Sequence, residues 1–292
     1  MKQFALVLGG GAAKGYAHIG ILKALEKHNL IPDLIVGTSM GALVGGLFSI
    51  GKTTQDMELL ASKFNNMGNF SVISTLFKGN ILNVKKVKAI LNKEFQEITH
   101  KQAKIKFVAV ATNIKTGKPK NFESGLMKDS VLASISIPGI FPTVKIGDDV
   151  YCDGGLVNNL AEDVAREIMP DAVILSVDVL GDYEKQVEKI KLKTLENVIN
   201  ATTIMTINVV KNKPVIANKR ITISLPNVSQ LNFSSKLAKQ TIKKGEQIAK
   251  KHIKEIKSLL GVEDGHIKTN EKTCQEQTSN NSVARSQSRR KS

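Results

Sequence analysis

The sequence predicts an α/β fold, a mainly parallel sheet covered by helices on both faces. Short, wholly apolar runs recur at Phe4–Leu8, Leu34–Val36, Phe107–Ala111 and Ala172–Val179. Runs without alternation belong to strands buried on both sides. The first 50 residues then alternate strand, helix, strand, helix, the order that builds parallel sheets. Hydrophobic residues are 41% and charged residues 23% of a 292-residue chain. That balance excludes a mainly disordered or collagen-like protein.

Each element follows from local pattern. Phe4–Leu8 runs into glycines and suits a buried strand. It is too short for a signal-peptide core, so export by that route is not expected. Tyr16–Asn29 spaces Ile19, Leu22 and Leu25 three apart with Lys and Glu between, which predicts an amphipathic helix. Pro32-Asp33 ends it. Leu34–Gly51 is 18 residues without a charge, long enough to raise a membrane span. Five glycines and Thr38-Ser39 divide that stretch, so a buried strand, a tight turn and a buried helix over Met40–Ile50 are expected instead.

Residues 52–105 read as helical and more polar, most clearly around Met57, Leu59 and Leu60 and over Val84–Phe95. Val144–Tyr151 predicts a hairpin turning at Gly147-Asp148-Asp149. Leu160–Ile168 predicts a helix, Ile221–Leu225 a late strand and Lys236–Leu260 a long amphipathic helix. After Gly261, Thr, Asn, Gln, Ser and Arg dominate and almost nothing can be buried. One domain over 1–262 and a disordered tail over 263–292 are therefore expected.

Charge is unevenly placed. The chain carries net +16, and residues 181–260 hold 16 basic against 6 acidic residues. A basic face attracts acidic lipid or nucleic acid, and a solvated helix face accounts for it equally well. Aromatics are 4% with no Trp, which counts against base-stacking platforms, and no nucleic-acid partner is expected. Two cysteines, Cys152 and Cys274, cannot make a disulfide scaffold, and the reading is a reducing, cytoplasmic compartment. No Cys/His spacing for a metal is present and no cofactor is expected.

Three motifs carry chemistry. Gly37-Thr38-Ser39-Met40-Gly41 is a G-x-S-x-G between an apolar strand and an apolar helix. That is where a nucleophile elbow holds a serine hydroxyl out of the sheet; a glycine-rich packing turn is the plainer alternative. Gly9-Gly10-Gly11-Ala12-Ala13-Lys14-Gly15 again joins strand to helix, and consecutive small residues turn backbone N–H groups toward an anion. Nucleotide loops fail on spacing: a P-loop needs Ser or Thr after Lys14, where Gly15 stands, and a dinucleotide fingerprint needs a small residue in place of Lys14. Asp153-Gly154-Gly155 follows the strand-like Val150–Cys152. Its aspartate is either a hairpin turn residue or the base for Ser39. None of the five histidines lies where an α/β-hydrolase triad would place one; His18 is the nearest, as a packed residue or a base.

Together the segments LVLGGGAAKGYAHIGILKALE, VGTSMGALVGGLFSIG and VLASISIPGIFPTVKIGDDVYCDGGLVNNLAEDVARE resemble the patatin-like phospholipases, in particular small bacterial members related to the catalytic domain of neuropathy target esterase. The resemblance covers roughly residues 4–260. It implies a three-layer α/β/α sandwich and a serine lipid acyl hydrolase with a Ser–Asp dyad of Ser39 and Asp153. It implies an oxyanion hole from Gly10, Gly11, Ala12 and Met40, supported by Lys14, Gly15, Gly37, Gly41, Gly154 and Gly155. Ala12 departs from the family's usual glycine and Ala161 from its frequent proline. The implied partners are a phospholipid or lysophospholipid substrate and an anionic membrane surface, contacted reversibly. The competing function is a non-catalytic lipid- or anion-binding regulator on the same fold.

Overall fold

The computed structural model describes residues 1–63, 82–181, 194–226, 228 and 233–262. Among these, eight strands form one sheet. They are β1 (Phe4–Leu8), β2 (Leu34–Thr38), β3 (Lys106–Asn113), β4 (Pro119–Phe122), β5 (Val144–Ile146), β6 (Asp149–Asp153), β7 (Val173–Asp178) and β8 (Lys219–Thr222). Pairings run β5, β6, β3, β2, β1, β7, β8, and β4 pairs with β3 as well. Strands β3, β2, β1, β7 and β8 are parallel, whereas β4, β5 and β6 join antiparallel.

The described helices are α1 (Ala17–Lys27), α2 (Met40–Ser49), α3 (Thr54–Lys63), α4 (Leu82–Phe95), α5 (Met127–Ser134), α6 (Glu162–Ile168), α7 (Thr194–Lys211) and α8 (Ser235–Leu260). The period of two along each strand sorts the core into two layers. Ala5, Val7, Leu34, Val36, Val108 and Val110 pack with Val164 and Ala165 of α6 and Val210 of α7. On the opposite face, Gly45 of α2 lies against Ile35, Leu8 and Phe107. Helices on both faces make the fold a three-layer α/β/α sandwich with a mainly parallel sheet.

The uncharged stretch from Leu34 resolves into β2, a turn at Ser39 and α2, as its glycines predict. Helix α8 starts at Ser234, whose side chain accepts from Leu237 N–H, and stops at Gly261 with φ 67°, the left-handed cap that glycine adopts without strain. The late strand sits two residues earlier than its apolar pattern predicts. Register with β7 decides it, since Lys219–Thr222 pair with Leu175–Asp178.

Strand β4 and helices α5 and α7 have no clear sequence signature. β4 is a short polar edge strand, and α7 is rich in β-branched residues that weaken helix propensity; packing against the sheet makes it helical. One compact unit spans Met1–Gly261. The tail over 263–292 lies outside the described residues.

Registers on β3 place the functional end of the sheet. Ala109 and Val110 each face a β2 residue and a β4 residue, so those strands lie on opposite edges of β3. Ala111 and Thr112 each face β4 and β6, so β6 is also opposite β4. Strands β2 and β6 therefore follow one another along the same edge. β2 runs parallel to β3 and β6 antiparallel, and their C-terminal ends meet head-on.

Candidate active site

The meeting point holds Ser39 and Asp153. Ser39 follows the last residue of β2 with φ 55° and ψ −123°, a backbone that a residue with a Cβ adopts only under strain. Small neighbours make the turn sterically possible. A Cβ on Gly37 would lie 2.6 Å from Ala42 Cα, and one on Gly41 only 2.0 Å from the Leu8 carbonyl oxygen. The first turn of α2 thus packs directly on the end of β1, with its N-terminal dipole toward the serine.

Asp153 ends β6. Its carbonyl accepts from Thr112 Oγ1 at 2.8 Å and its N–H donates to Ser136 O at 2.9 Å. Its Oδ1 accepts the Gly155 N–H at 2.8 Å, and its Oδ2 accepts the Ser39 hydroxyl at 2.5 Å. Gly154 touches β3 so closely that a Cβ would stand 2.2 Å from the Val110 carbonyl oxygen. Both side chains are buried, Ser39 at 5% and Asp153 at 6% exposure. Burial pushes the Asp153 carboxyl up to about 6, against the lowering effect of the bonds from Ser39 and Gly155. A carboxylate so placed can take a hydroxyl proton as the oxygen attacks.

The glycine loop runs beside them. A Cβ on Gly10 would lie 2.9 Å from Ser39 Cβ, and one on Gly15 would lie 2.3 Å from Met40 Cγ. Ala12 has φ 48°, so the alanine does occupy a left-handed position. The Gly10 N–H is engaged with the Asn159 carbonyl at 3.4 Å, which makes it the least available of the expected oxyanion donors. The N–H groups of Gly11, Ala12 and Met40 donate to no described residue. Lys14 is 2% exposed; burial lowers its ammonium pKa to about 8, with Asp178 acting in the opposite direction.

His18 does not meet Ser39. Its Nε2 lies 2.7 Å from the Gly9 carbonyl oxygen, the ring is fully buried, and burial lowers its pKa to about 4. A neutral imidazole donating to Gly9 holds the root of the loop. Two residues without a sequence signal of their own complete the frame. Asn159 grips Gly10 from both sides, accepting its N–H and donating from Nδ2 to its carbonyl at 3.3 Å, and Ser134 bonds the Ser39 N–H. Serines 134 and 136 inside an otherwise apolar run are the signal that could have drawn attention to them. Among the described residues, no three His, Cys, Asp or Glu side chains converge as a metal site would need.

The chain is similar to several known proteins. A lysophospholipase of Aspergillus fumigatus is 31% identical over 205 residues, covering 68% of this chain and 13% of that protein. An uncharacterised NTE family protein of Mycobacterium bovis is 31% identical over 168 residues, covering 56% of this chain and 28% of its own. The chain thus spans about an eighth of the fungal relative's length. Among solved structures, VipD from Legionella pneumophila aligns over 87% of this chain and 67% of its own, with 13% identity and a TM-score of 0.49. The family model described as patatin-like phospholipase matches residues 6–166. That span is more than half the chain and contains the glycine loop, Ser39 and Asp153, so the chain belongs to the patatin-like phospholipase family.

Proposed function

We propose that the protein is a serine lipid acyl hydrolase that cleaves a carboxylic ester of a phospholipid or lysophospholipid. The observation that carries this reading is the 2.5 Å bond from the Ser39 hydroxyl to Asp153, made at a strained elbow beside N–H groups that have no partner among the described residues. Ser39 Oγ attacks the acyl carbonyl carbon as Asp153 takes its proton. The oxyanion is held by the N–H groups of Gly11, Ala12 and Met40, with Gly10 lining the loop. The tetrahedral adduct collapses, Asp153 returns the proton to the departing alcohol, and the acyl group stays on Ser39. A water molecule then gives a proton to Asp153 and attacks the acyl-enzyme; the second adduct collapses, Asp153 returns that proton to Ser39 Oγ, and the fatty acid leaves. A buried aspartate suits both steps, since a pKa raised to about 6 makes the carboxylate a stronger base and still lets the protonated form give the proton up near neutral pH.

The reading includes reversible contact with an anionic membrane surface on the cytoplasmic side. No described helix is long and apolar enough to cross a membrane. Helix α8 carries eight lysines against two glutamates, and Lys236, Lys239, Lys243, Lys244, Lys250, Lys251 and Lys254 are exposed. Both glutamates are already paired, Glu246 with Lys250 and Glu255 with Lys219. The lysines from 236 to 254 form a stripe about 27 Å long at 1.5 Å per residue. Each lysine near an acidic leaflet contributes about 1 kcal/mol.

Fluorophosphonate labelling followed by peptide mapping tests the nucleophile, and a panel of diacyl and monoacyl phospholipids tests the substrate. Label on Ser39 with release of fatty acid is expected. Lipid binding with neither would leave the non-catalytic regulator as the better account.

A further inference from the structure

We infer that Ser134 is a positioning residue of the hydrolytic site, holding the nucleophile in its strained conformation. The inference rests on Ser39 being the nucleophile.

Ser134 is the last residue of α5 and is fully buried. Its hydroxyl accepts the backbone N–H of Ser39 at 2.9 Å and donates to the Val110 carbonyl at 2.6 Å. One O–H and one lone pair are thereby used in a single bridge. The bridge lies at the junction of the two head-on strands. Val110 is the partner of Thr38, the last residue of β2, and the next residue, Ala111, is the partner of Asp153. The same Val110 carbonyl is the atom against which Gly154 packs. One peptide group of β3 therefore sets the position of Ser39 through Ser134 and that of Asp153 through Gly154.

The chemistry explains why a hydroxyl is wanted there. Where β2 stops, the Ser39 N–H has left the ladder and would be buried without an acceptor. An unsatisfied donor at a residue with φ 55° would favour relaxing the turn, and relaxing the turn moves Oγ away from Asp153. Ser134 removes that tendency. It also occupies the nucleophile's own N–H, so the oxyanion falls to Gly11, Ala12 and Met40. Ser134 never touches the reacting atoms; it acts through Ser39.

The experiment compares the full-length protein with Ser134→Ala and with Ser130→Ala. Ser130 is a buried serine one turn earlier in the same helix, bonded to His100 and Met127 and not to Ser39. Second-order fluorophosphonate labelling, kcat and KM on a soluble p-nitrophenyl ester, and Tm are measured for each. Ser134→Ala is expected to slow labelling and kcat by the same factor, about tenfold or more for one lost hydrogen bond at the reacting centre, with KM unchanged. Ser130→Ala is expected to lower Tm with near-normal labelling. If Ser134→Ala does not fold, Ser134→Cys keeps the volume with a weaker donor and acceptor and is expected to show the same split. Labelling of Ser39 at the wild-type rate in the folded variant, or a loss confined to KM, overturns the inference alone. Wild-type label on another residue overturns the nucleophile reading, and the inference with it.

Discussion

Thr38 and Asp153 stand next to each other on one edge of β3, opposite Val110 and Ala111 respectively. They end strands that run toward each other, and the residue after Thr38 is Ser39. The contact between hydroxyl and carboxylate is thus a consequence of sheet register. It does not depend on a flexible loop finding its partner.

Removing either side chain is therefore expected to stop ester hydrolysis. Ser39→Ala and Asp153→Asn should each lower kcat by about 10³-fold or more, because members of one catalytic unit fail together. Circular dichroism of both variants should match the parent. His18→Ala should act differently, by loosening the loop at Gly9. Near-normal turnover in Asp153→Asn with loss in His18→Ala would restore histidine as the base.

Activity should depend on the ionisation of Asp153. Burial raises its pKa to about 6, and only the carboxylate accepts the Ser39 proton. Labelling rate and kcat/KM should accordingly fall about tenfold per unit below that value and level off above it. His18, lowered to about 4, would place the fall two units lower. A rate that stays flat from pH 5 to 8 would rule out the aspartate.

Ala12 holds φ 48°, where glycine is unstrained. Ala12→Gly should therefore stabilise the fold by up to about 1 kcal/mol. It should raise kcat or leave it unchanged, with KM unaffected, since an oxyanion donor acts on the transition state. A clear fall in kcat would show that the loop needs the alanine side chain.

Gly154→Ala offers a steric test. Its Cβ would come within 2.2 Å of a backbone oxygen, which cannot move aside as a side-chain tip can. Loss of labelling is expected, with Tm lowered by several degrees. A fully active Gly154→Ala protein would mean that β6 approaches β3 less closely than described.

Charge reversal at Lys243, Lys244, Lys250 and Lys251 should weaken binding to anionic vesicles and leave soluble-ester hydrolysis intact. Added salt should do the same to the parent. Deleting 263–292 should weaken vesicle binding only modestly. Binding indifferent to salt and to these lysines would point to apolar attachment instead.

Much of this protein is written locally. Phe4–Leu8 and Leu34–Val36 can only be buried strands, and the glycines around Ser39 announce an elbow. Such features depend on side chains two to four residues apart, so they are legible without knowing the fold. Asp153 is different. From its own neighbours it reads equally as a hairpin turn, and its role came into view through likeness to a family. Asn159 and Ser134 had no signal beyond polarity in apolar surroundings.

The tertiary structure alone decided that Asp153 and not His18 meets Ser39, that Gly10 N–H is engaged while Ala12 N–H donates to no described residue, and that Ser134 takes the N–H of Ser39. Each of these depends on which distant segments share an edge of β3. Sequence by itself determined most of the strands and helices and the turn at Ser39, because backbone preference and hydrophobic period are properties of neighbouring residues; β4, α5 and α7 are the exceptions. Register between strands is set by the packing of the whole core on both faces, which no short stretch of sequence contains.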